Sequence, residues 1–156
     1  MWCFSINIYG DTYIEAGVPY MVTCNVSESK EDRITILHAK ISDTDQLTFT
    51  IRHSTTFGCY YLSDIYVLCQ SSLCSCDVDG LATQWTYNTP ADLSDPVRFR
   101  CSSSNNNGGL QTSEPWTPIV PSKCVVFKLN KSIFVEKVNN DAEICAYICG
   151  NTNNIQ

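Results

Sequence analysis

Charge is sparse in this chain. Asp, Glu, Lys and Arg together make up 17% of it, against roughly 25% in ordinary globular proteins. Basic residues are the scarcer kind, 10 Lys and Arg against 16 Asp and Glu, which leaves a formal net charge of −6. A general basic surface able to neutralise phosphates or anionic lipid is therefore excluded, and no nucleic-acid partner is expected. Long apolar runs are missing too. Nothing approaches the ~18–20 residues that span a bilayer, so a membrane span can only lie outside this segment. A complete signal peptide is also lacking, because the apolar opening Met1-Trp2-Cys3-Phe4-Ser5 is too short for one. We expect the chain to open at the tail of a removed signal, or to be truncated ahead of one, with Cys3 an unpaired remnant.

What is present is a core-forming composition. The 156 residues suffice for one ordinary domain and part of another. Hydrophobic residues are 44% of the total, too many for a disordered chain. Ser, Thr and Asn number 42 and take over from charge as the source of polarity. Ten cysteines point to an oxidising compartment, where bridges supplement a small core. Zinc is the alternative, since Cys74-Ser75-Cys76 and Cys145…Cys149 bring sulfurs close together. Structural zinc sites, however, use paired C-x₂₋₄-C knuckles, often with His, and neither motif has a nearby His. Disulfides, no metal and an extracellular location, secreted or in an ectodomain, are the expectation. The sequons Asn25-Val26-Ser27 and Asn130-Lys131-Ser132 are candidate glycosylation sites suited to that location.

Period-two alternation dominates the chain and predicts strands. Tyr20, Val22 and Cys24 share one face of 18–26. Leu47, Phe49 and Ile51 alternate with Thr48, Thr50 and Arg52. Leu81, Thr83, Trp85 and Tyr87 follow the Asp79-Gly80 turn signal, and Val97, Phe99 and Cys101 follow the breaker Ser94-Asp95-Pro96. Ile34–Leu37 and Ile65–Leu68 are shorter β-branched and aromatic runs. Asn105–Gly109 is a turn before a last strand near Leu110. Many short strands with frequent turn signals predict an all-β sandwich or barrel. Three prolines in residues 115–121 suit an extended connector. We therefore divide the chain into a domain at 5–114, a linker at 115–121, and the truncated start of a second domain at 122–156. That last part has strand-like segments at 124–129, 133–138 and 143–149.

These features resemble an immunoglobulin-superfamily domain over about residues 5–112. The segment Asp95-Pro96-Val97-Arg98-Phe99-Arg100-Cys101 resembles that family's approach to its sixth strand, and Gly17 stands seven residues ahead of Cys24 as the family's glycine does. Trp85 and Tyr87 fall where the family places inward residues. The resemblance implies a core disulfide between Cys24 and Cys101 and an Ig-like sandwich. It departs at Phe99, which replaces the family's tyrosine, and at Ile36-Leu37-His38, where the family carries a core Trp. The run Cys59…Cys69…Cys74-Ser75-Cys76 is similar to elaborations found in Cys-rich Ig-like domains of molluscan secreted or surface proteins. The second part is similar to the opening strands of another copy.

The four cysteines Cys59, Cys69, Cys74 and Cys76 allow three pairings, and sequence does not choose among them. A hairpin loop at 70–73 favours Cys69–Cys74 and would leave Cys59–Cys76. The partners of Cys124, Cys145 and Cys149 are open. Asp43 and Asp45 lie near His38 and Ser54 adjoins His53, but no nucleophile-elbow motif frames any Ser, and Asp77-Val78-Asp79-Gly80 lacks the remaining ligands of a calcium loop. No enzyme activity and no cofactor are expected. Recognition of an extracellular protein or glycan is expected instead, in an adhesion or immune-type multidomain protein, with Tyr60, Tyr61 and Tyr66 as candidate binding residues. A free-standing secreted effector, inhibitor-like or toxin-like, with the Cys69–Cys76 loop as its active element, is the alternative.

Overall fold

The computed structural model describes residues 5–27, 32–41, 46–105 and 109–121, and the backbone of two later strands at 124–129 and 132–137. It divides into two compact units, Met1–Ile119 and Val120–Gln156. Among the described residues there is no helix.

The first unit is an all-β sandwich of two antiparallel sheets. The smaller sheet contains β1 (Ile6–Gly10), β2 (Tyr20–Val26), β7 (Cys74–Cys76) and β8 (Ala82–Tyr87), in the order β1-β2-β8-β7. The larger one contains β3 (Arg33–Lys40), β4 (Gln46–Ser54), β5 (Gly58–Leu62), β6 (Tyr66–Leu68), β9 (Arg98–Asn105) and β10 (Gln111–Thr112), in the order β10-β9-β3-β4-β5-β6. Alternating residues on each strand turn inward, as a half-buried pleated surface requires. Val22, Cys24, Leu37, Ile51, Phe99 and Cys101 are all buried.

Aromatic rings run through this core in one connected series. Tyr61 stacks on Phe49, Phe49 on Trp85, Trp85 meets Tyr87 edge-on, Tyr87 meets Phe99 edge-on, and Phe99 stacks on Tyr20. Centroid separations of 5.3–5.6 Å lie in the favourable range for offset and edge contacts. Leu37, opposite Cys101 in register, fills the space beside the bridge between the sheets.

Three disulfides are formed among the described residues. Cys24–Cys101 joins β2 to β9 and so crosses between the sheets. Cys59–Cys76 joins β5 to β7, a second crossing near the sheet edges, and Cys69–Cys74 closes the short loop between β6 and β7. The sulfurs of Cys59 and Cys69 lie 3.4 Å apart, so the last two bridges form one sulfur cluster.

Of residues 115–121, read from the sequence as a linker, 115–119 belong to the first unit and pair within it at two points. Trp116 exchanges both backbone hydrogen bonds with Phe99, and Ile119 is bonded to Thr12 and Ile14. In the second unit, β11 (Cys124–Leu129) pairs antiparallel with β12 (Ser132–Lys137) as a hairpin.

Candidate functional site

The outer face of the larger sheet follows from its register. Ile34, Ile36, His38 and Lys40 of β3 stand opposite Arg52, Thr50, Thr48 and Gln46 of β4, and opposite Ser104, Ser102, Arg100 and Arg98 of β9. Arg52 is in turn opposite Tyr60, Tyr60 opposite Leu68, and Leu62 opposite Tyr66. Since paired residues share a face, Arg52, Tyr60 and Tyr66 come together on the side away from the core.

There they line an open cleft of about 280 Å³ with Asp32, Ser54 and Phe57. Arg52 holds its guanidinium 5.7 Å from the centre of the Tyr66 ring, within cation–π range. Asp32 accepts a hydrogen bond from the Thr55 backbone N–H at 3.0 Å and fastens the β4–β5 turn beneath the cleft. That donor, with the Ser54 and Thr55 side chains and nearby Arg52, holds the Asp32 carboxyl below its ordinary pKa and keeps it charged. Phe57 is 73% exposed at the tip of this turn, an unusual position for a large aromatic ring. The rings offer flat apolar contact while the guanidinium and carboxylate offer directed hydrogen bonds, a combination suited to gripping a sugar ring or a peptide side chain.

Of the three tyrosines singled out from the sequence, Tyr60 and Tyr66 line this cleft. Tyr61 does not: it turns to the inward face and stacks on Phe49, because neighbours on a strand point to opposite faces. Arg52, Phe57 and Asp32 were missed as site residues. The alternation of Arg52 with Phe49 and Ile51 marks its outward direction, but nothing local marks its approach to Tyr66. Asp32 reads in sequence as the end of the solvated charge cluster 28–32.

Asn25 lies within β2, between β1 and β8, and its Nδ2 donates to the Tyr9 hydroxyl at 3.1 Å. The sequon hydroxyl of Ser27 accepts from the Ser5 backbone at 2.8 Å. Asn130, Cys3, Cys145 and Cys149 fall outside the described residues, and Cys124 is described only as backbone in β11. His53 is buried against the Gly80 turn, whereas His38 stands on the outer face with its Nδ1 accepting from Gln46 Nε2 at 3.0 Å. Burial lowers the His38 pKa and favours the neutral ring. Among the described residues no three His, Cys, Asp or Glu side chains converge to hold a metal ion, and no helix is long and apolar enough to cross a membrane. No protein-family model and no curated protein matches this sequence.

Proposed function

We propose that the first unit is a non-enzymatic, immunoglobulin-like recognition module of an extracellular protein, which holds a protein or glycan ligand in the Tyr60–Tyr66 cleft. The bridge from Cys24 on one sheet to Cys101 on the other supports the immunoglobulin-like reading. Three disulfides support an oxidising location. The observation that carries the binding reading is the cleft's construction. Outward-facing aromatics are displayed on β5, on β6 and on the β4–β5 turn, next to two bridges that brace the β5–β7 region. A binding residue held rigidly loses less entropy on association than a free one.

The test is a screen of the full chain on a glycan array and a displayed peptide library, followed by Tyr66→Ala and Phe57→Ala on any ligand found. We expect binding to weaken at least about tenfold in each variant, as for truncated anchor residues, with the unfolding midpoint little changed. Full retention of binding in both variants would move the ligand elsewhere.

A further inference from the structure

Among the described residues, this acidic chain gathers cations on one sheet face. On the outer face of the larger sheet, His38 stands opposite Arg100, and Lys40 opposite Arg98. With Gln46, Ser102 and Thr112 these four line a second open depression of about 400 Å³, displaced toward β9 and β10 from the aromatic cleft. Paired strands lie about 4.8 Å apart and same-face residues repeat about every 6.7 Å. The four side chains therefore form a two-by-two array, with Lys40, Arg98 and Arg100 as its cations and the neutral His38 ring at the fourth corner.

Three features make this array more than chance. All six strands of the larger sheet are free of Asp and Glu, although acids outnumber bases in the whole chain. Arg98 and Arg100 lie two residues apart on β9 and so share the outer face with Lys40 and His38, their partners in register. The flanking groups are hydroxyls and an amide, which bond to anionic or hydroxylated ligands without adding charge.

We propose that this array binds a sulfated polysaccharide chain. The two guanidinium groups suit bidentate grip on sulfate oxygens, and an array of cations rewards a ligand whose charges repeat along a chain. A peptide adding as a strand has no edge here. The Arg98–Arg100 stretch of β9 is paired to β3 on one side, and Phe99 is bonded to Trp116 on the other. The depression has no Phe, Tyr or Trp in its lining to offer a broad face for base stacking. This inference does not depend on the aromatic cleft, since it uses other residues.

The experiment is binding of the full chain to immobilised heparin. The wild type is expected to bind at about 50 mM NaCl and to be released as salt rises, the signature of counter-ion displacement. Arg98→Gln with Arg100→Gln should weaken binding at least about tenfold, which corresponds to two lost charge contacts of about 0.7 kcal/mol each. Both side chains are solvent-facing, so the double variant should fold, as its disulfide count and unfolding midpoint will report. Tyr66→Ala should bind heparin like the wild type. Hyaluronan, which carries carboxylates and no sulfate, should bind more weakly than heparin. The proposal is overturned if the wild type ignores heparin at low salt, if the double variant binds it undiminished, or if polyglutamate or single-stranded DNA binds as tightly. Loss of heparin binding in Tyr66→Ala alone would place the polysaccharide in the aromatic cleft, overturning this site while leaving the cleft reading intact.

Discussion

Trp116 donates its indole N–H to the hydroxyl of Tyr20 at 2.9 Å, joining residues 96 apart in the chain. The same hydroxyl donates to the Asp11 carbonyl, so a single oxygen links the 115–119 stretch, β2 and the loop after β1. Burial raises the Tyr20 pKa and keeps this donor protonated. Tyr20→Phe should cost about 1–3 kcal/mol, because it leaves two partners unpaired. Trp116→Phe, which removes one donor and some packing, should cost about 1 kcal/mol. Chemical denaturation of both single variants and the double variant checks this. A coupling energy near zero would show that the bond contributes nothing.

Loop length separates the three bridges. Under the chain-entropy account, removing Cys24–Cys101, with a sequence separation of 77, should cost about 4.5 kcal/mol. Removing Cys59–Cys76 should cost about 3 and Cys69–Cys74 about 2, for separations of 17 and 5. Paired Cys→Ala variants compared by denaturant midpoint test this ranking; equal losses would refute it.

Tyrosines on the adjacent strands β5 and β6 should behave oppositely. Tyr61→Ala removes a ring stacked in the interior and should cost about 2–3 kcal/mol, somewhat less than a fully buried aromatic. Tyr66→Ala, on the exposed face, should change stability by no more than about 0.5 kcal/mol. Thermal unfolding of the two variants distinguishes them.

Two glycines with positive φ should also diverge. Both Gly58 and Gly80 adopt left-handed backbone, at φ 93° and 67°. A Cβ at Gly58 would meet open space, so Gly58→Ala should cost only the backbone strain, about 1 kcal/mol. A Cβ at Gly80 would strike the buried ring of His53, and Gly80→Ala should be the more destabilising of the two. Equal unfolding midpoints would refute the close approach.

Acid should weaken the fold in two stages. Burial lowers the His38 pKa, so the unfolded chain takes up that proton first as pH drops below about 7, and stability falls until the folded ring also protonates. Asp32 has the opposite charge type but the same direction. Its lowered pKa adds stability above the ordinary value of 3.8, which is lost as pH falls through the folded value. Denaturant titrations should show His38→Gln flattening the upper stage and Asp32→Asn the lower.

Alternation of apolar and polar residues was enough to locate most strands and the all-β class, because a pleated strand turns every second side chain to the same side. β1, β5 and β7 were not legible in this way. β7 spans three residues, and β5 has no clear alternation in GCYYL. The abundance of cysteine marked a bridged protein, and the loop at 70–73 made one pairing attractive without excluding others. What the tertiary structure alone decided is which residues meet. A strand's sequence shows two faces but not the neighbour or register against which each is set. Hence only the fold turned Tyr61 inward and Tyr66 outward, brought Arg52 over Tyr66, and set His38 and Lys40 against Arg100 and Arg98, some 60 residues away in the chain.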